Sequence, residues 1–134
     1  MELFFSLFKL ILKVFYWIAP NKRHSKNLLD EMLLKHNEYR KQHNLPSLKI
    51  NDALCHAAIE HAEFMCDKGR LSHKNFNKRV VEFGVKCENV GLGGDFETVF
   101  DMWIKSSGHR RNILDNVSEA GFAMCKGYWV AIFS

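Results

Sequence analysis

Residues 3–19 are apolar except for Ser6, Lys9 and Lys13, whereas beyond residue 27 the apolar positions recur with the periods of helices and strands. Leu29, Met32, Leu33, His36 and Arg40 share one helical face, and Pro46 limits it, which predicts a first helix over residues 28–43. Asn51 is placed to cap a second helix, whose broad face of Leu54, Cys55, Ala58, Ile59, Ala62, Met65 and Cys66 runs to Lys68 and Gly69. From Leu71 to Lys86 the pattern is polar and irregular, and predicts a long loop with at most a turn of helix over 78–83. Cys87–Leu92 reads as a short strand ended by Gly93 and Gly94, after which Asp95 caps a helix carrying Val99, Phe100, Met102 and Trp103. A short helix over 109–114 follows, and the runs 120–125 and 128–133 form a hairpin around Lys126 and Gly127. Helices first, then strands among helices, give an α+β fold with antiparallel pairing.

The amino-terminal run sets the organisation: an apolar helix over 1–21, a basic linker over 22–27 and one domain over 28–134. In a helix, Ser6, Lys9 and Lys13 form one narrow polar stripe. Seventeen residues reach about 26 Å, near the minimum for crossing a bilayer, so both spanning and lying flat are open. The segment is expected to attach the protein to a membrane; an atypical export signal and a helix packed on the domain or a partner are the alternatives. Glu2 near the start, lysines within the apolar run and Pro20 after Ala19 fit a cleaved signal peptide poorly. If the run spans, Lys22, Arg23, His24 and Lys26 would keep the carboxyl side cytoplasmic.

The 134 residues carry 19 basic and 15 acidic side chains, and no basic block stands apart, so nucleic acid is not an expected partner. Four cysteines, at 55, 66, 87 and 125, are too scattered for a disulfide scaffold, and none forms a C-x-x-C pair. Cys55 and Cys66 share one face of the second helix about 16 Å apart and cannot bridge each other. All four are expected as small buried hydrophobes, with a bridge involving Cys87 or Cys125 left open.

Glycine-rich phosphate loops, G-x-S-x-G elbows and H-E-x-x-H pairs are all missing from the sequence. Its candidate chemistry lies in His73, opening the polar loop, His109, beginning the short helix, and Glu88 on the strand between them. Two imidazoles and a carboxylate suit a divalent transition metal, although spacing over this distance is not diagnostic. His36 and His61 read as hydrogen-bonded core histidines, and His56 with Glu60 as a solvated pair.

In order, His36-Asn37-Glu38-Tyr39-Arg40, Leu71-Ser72-His73, Glu88-Asn89-Val90, Trp103, Ser107-Gly108-His109-Arg110-Arg111-Asn112-Ile113-Leu114 and Tyr128-Trp129 resemble the CAP superfamily of SCP-like proteins. The resemblance covers residues 28–134 in the compact bacterial form. It implies an α-β-α sandwich with a small antiparallel sheet between helices, and a cleft lined by two histidines and two acids. His73, Glu88 and His109 match three of these; the position of the second acid is Ser106, which implies weak zinc binding unless Glu82 or water completes the site. The resemblance implies an extracytoplasmic location, against the orientation read from the basic flank. The expected function is a nonenzymatic binding module, membrane-tethered or exported, for an apolar, glycan-like or protein ligand. The alternatives are a metal-assisted hydrolase using His73, Glu88 and His109, and a protein-interaction or self-assembly module.

Overall fold

The computed structural model describes the backbone from residue 22 and the side chains from residue 27, both through Ser134. The apolar run 3–19 and the anchor expected there lie outside the described residues, among which no helix is long and apolar enough to cross a membrane. The chain divides after Glu31 into two units, and the sheet, the later helices and the carboxyl half of the first helix all belong to Met32–Ser134.

Helix α1 runs Lys22–Gln42, so the basic residues expected as a linker are helical. Nothing between Pro20 and Gln42 breaks a helix, and lysine and arginine favour one. Strand β1, Lys49–Ile50, precedes α2, Asp52–Lys68, which starts where Asn51 accepts the Leu54 N–H and stops at Gly69 in the left-handed region (φ 66°). Helix α3, Phe76–Phe83, is longer than the single turn expected, bracketed by Asn75 at φ 62° and Gly84 at φ 67°. Strand β2, Cys87–Leu92, leads to α4, Phe96–Lys105, with Asp95 accepting the Thr98 N–H, and then to α5, Ser107–Ile113. Strands β3, Glu119–Cys125, and β4, Tyr128–Phe133, form the expected hairpin.

The four strands lie in the order β1-β3-β4-β2. The hairpin and the β4/β2 pair are antiparallel, but β1 joins β3 in parallel, Lys49 opposite Glu119 and Ile50 opposite Ala120. The sheet is therefore mixed rather than purely antiparallel, because a two-residue strand leaves no period in the sequence to read. Alternation along β4 divides the core: Val130 and Ile132 meet Leu54, Ala58, Ala62 and Met65 of α2, while Phe133 lies near the rings of the opposite side. Helix α2 lies unusually close to the sheet at Gly121, where any Cβ would collide with the backbone of Leu54 and Cys55.

The opposite face is aromatic and encloses two polar side chains of α1. His36 is fully buried among the rings of Phe96, Phe100, Trp103, Phe122 and Phe133. Its Nδ1–H donates to the Met32 carbonyl at 2.7 Å, and Nε2 has no hydrogen-bond partner among the described residues. Burial pushes this imidazole down to about 4, with the Arg40 charge adding to the depression against the Met32 bond, so it is neutral at physiological pH. Arg40, 1% exposed, donates to the carbonyls of Pro46, Ile113, Asp115 and Val117 at 2.9–3.1 Å. One guanidinium thereby ties α1 to the end of α5, and α5 carries His109.

Candidate functional site

β2 is an edge strand, and the candidate residues lie on it and on the segments packed beside it. Its pleat sends Glu88 and Asn89 to opposite faces. On the α2–α3 face, Glu88 is 4% exposed, and each carboxylate oxygen is engaged by Arg79: Nε to Oε1 at 2.7 Å and Nη2 to Oε2 at 2.9 Å. His73 Nδ1–H donates to Oε2 at 2.9 Å, and His61 Nε2 lies 3.9 Å from the same oxygen. Burial alone would raise the Glu88 carboxyl, but the hydrogen bonds from His73 and Arg79 and the Arg79 charge hold it below its ordinary value. Glu88 is thus an ionised carboxylate paired with a guanidinium in a planar, two-point contact.

His61 Nε2 lies 2.6 Å from the Ser72 carbonyl, tying α2 to the loop residue beside His73. Burial depresses the His61 imidazole despite the Ser72 bond and the Glu88 charge, which leaves it neutral. Arg79 Nη1 donates to the Lys74 carbonyl and braces the same loop from α3. The His73 side chain is 53% exposed, with Nδ1 committed to Glu88.

The other wall is α5. Buried Asn89 donates through Nδ2 to the His109 carbonyl at 3.0 Å and accepts Asn112 Nδ2 at 2.8 Å, while Asn112 also donates to the Glu88 carbonyl at 3.2 Å. Asn112 thereby gives the edge-strand carbonyl of Glu88 a partner, and the two amides fix α5 against β2. Ser106 separates α4 from α5 in extended conformation, and its Oγ lies 2.9 Å from His109 Nδ1. Burial lowers the His109 imidazole, and the charge of His73 across the cleft lowers it further.

The structure brings His73 onto Glu88 and fixes the helix of His109 against the same strand through Asn89. Arg79 donates to both Glu88 oxygens, and among the described residues no group of three or more His, Cys, Asp or Glu is disposed to hold a metal. Ser106 orients His109. Glu82 pairs with Lys78 at 3.8 Å on the exposed side of α3. Sequence reasoning missed Arg79, although Phe76, Arg79, Val80 and Phe83 share a helical face that could have revealed it. His61 is the hydrogen-bonded core histidine expected, with the added place beside Glu88, and His56 pairs with half-exposed Glu60 at 3.8 Å.

An α-β-α domain with a His/Glu cleft on an edge strand defines the class. The chain belongs to the CAP family, described as the cysteine-rich secretory protein family, which its residues 33–133 match. It is similar to an extracellular SCP-domain protein of Bacillus anthracis str. Ames, with TM-score 0.74 and 23% identity over 86% of this chain and 43% of that one. A cysteine-rich secretory protein of Staphylococcus aureus subsp. aureus Mu50 aligns with TM-score 0.71 and 26% identity over 81% and 38% of the two chains. An outer surface protein of Borrelia burgdorferi aligns with TM-score 0.67 and 22% identity over 86% and 94%. The chain spans less than half the length of the first two. No curated protein sequence matches it.

Proposed function

We propose that this chain is an exported, membrane-tethered binding module, held at the membrane through residues 3–19, whose cleft takes a neutral, hydroxyl-rich ligand of glycan type. The observation that carries the reading is the double engagement of Glu88 by Arg79. A carboxylate neutralised in this way is a poor general base and a poor metal ligand, because the buried guanidinium competes with a proton or a cation for it. What remains open to a ligand is the His73 edge and the neutral His109 ring, both suited to hydroxyl groups. Export is supported by the extracellular and outer-surface descriptions of the B. anthracis and B. burgdorferi proteins.

The test follows histidine ring NMR signals as N-acetylglucosamine oligomers are added, with peptide and ester hydrolysis assayed with and without zinc. Shifts at His73 and His109 without turnover are expected. Zinc-dependent turnover abolished by both His109→Ala and Glu88→Gln would establish the metal-assisted hydrolase instead. In parallel, full-length chain should float with liposomes while residues 22–134 alone should not; equal partition would remove the anchor.

A further inference from the structure

All four thiols are free, but they are not the uniformly buried set expected: Cys55 and Cys87 are buried, whereas Cys66 and Cys125 are only partly so. The two partly buried ones are neighbours. Helix α2 and strand β3 run side by side from a fixed point, the collision-close approach of Leu54–Cys55 to Gly121. From there to Cys66 the helix advances about 16 Å. From Gly121 to Cys125 the strand advances about 14 Å. The matched lengths bring the carboxyl ends of both elements together, where Cys125 packs on the cluster that includes Ala62 and Met65 of α2. There the two thiols are close enough to influence each other's ionisation, with Glu63 and Lys126 as the charged groups nearby. Cys55 and Cys87 play no part; Cys87 points to the Asn112 carbonyl and Asp115.

We propose that Cys66 and Cys125 form a disulfide that clamps the end of α2 to the end of β3 when the protein meets a disulfide-bearing oxidant. The chemistry is thiol–disulfide exchange. Cys66 attacks the carrier disulfide R–S–S–R, giving Cys66–S–S–R and one R–SH. Cys125 then displaces the second R–SH and closes the bridge, so the carrier is reduced and the protein loses two hydrogens. Burial and the neighbouring Cys66 push the Cys125 thiol up to about 11. Cys125 therefore reacts in the second, intramolecular step, where proximity offsets its low thiolate fraction. The bridge closes a loop of roughly 60 residues, a length at which cross-linking strongly restricts the unfolded chain. It does not depend on what the cleft binds.

The test equilibrates full-length protein in detergent with glutathione buffers of rising oxidised fraction, then alkylates, digests and weighs the peptides while thermal unfolding is recorded. The expected product is a Cys66–Cys125 cross-linked peptide, with a midpoint raised on the order of 10 °C. Cys66→Ser and Cys125→Ser should each fold and show no rise. Cys66 lies at a helix end, so its variant keeps the comparison valid should Cys125→Ser fold poorly. Alkylation of both thiols in fully oxidised buffer, stable glutathione adducts in place of the bridge, or linkage to Cys55 or Cys87 would overturn the proposal.

Discussion

Arg40→Ala should lower the unfolding free energy by about 3–5 kcal/mol. The guanidinium is the donor for the carbonyls of Pro46, Ile113, Asp115 and Val117, and it is almost wholly buried. Truncation leaves those acceptors without it, and each one that stays buried and unsatisfied costs about 1–3 kcal/mol. The loss is comparable with the whole stability of a marginal domain, about 5–15 kcal/mol. Arg40→Lys should recover only part of it, since one ammonium cannot reproduce a fork aimed at separate carbonyls. Urea unfolding followed by circular dichroism measures both variants. A loss below about 1 kcal/mol for Arg40→Ala would show that α5 is held without this clamp.

The second large effect is acid sensitivity centred on His36. Its imidazole titrates near 6.5 when unfolded and at about 4 when folded. Between those values the unfolded chain binds the proton and the native chain does not, so stability rises with pH across that window. The contribution is fully present above about 6.5 and is lost as pH falls towards 4, amounting to about 3 kcal/mol. His61 and His109, also depressed, act in the same direction. The difference between wild type and His36→Phe isolates the His36 share. The phenyl ring fits the aromatic surroundings and carries no titrating group, so unfolding midpoints should separate by a pH-dependent amount between pH 7 and 4. A constant separation would contradict the assignment.

The sequence made particular elements legible for physical reasons. Asn51 and Asp95 announce α2 and α4 because their side chains accept the backbone N–H groups that a helix start leaves open. The β3–β4 hairpin was readable from Lys126 and Gly127, which both take positive φ. By contrast, the polar composition of residues 71–86 obscured the helical face of α3, and with it the one cation that decides the chemistry of Glu88. His73, Glu88 and His109 could be selected by type and family resemblance, but a charge partner nine residues from Glu88 on another element has no spacing signature. Ser106 illustrates the same limit. Its lack of a carboxylate is visible in the sequence, whereas its hydrogen bond to His109 emerges only where α4 ends and α5 begins.

Calorimetric titration of zinc into residues 22–134 tests most directly whether Arg79 takes the place of a metal at Glu88. The wild-type domain should bind zinc no tighter than about the millimolar range, with any heat disappearing below about pH 6 as histidines protonate. Arg79→Met, which frees Glu88 Oε1 and leaves Oε2 with His73 alone, should bind more tightly than wild type. Micromolar wild-type binding that is lost in both His109→Ala and Glu88→Gln, and unchanged in Arg79→Met, would contradict this account.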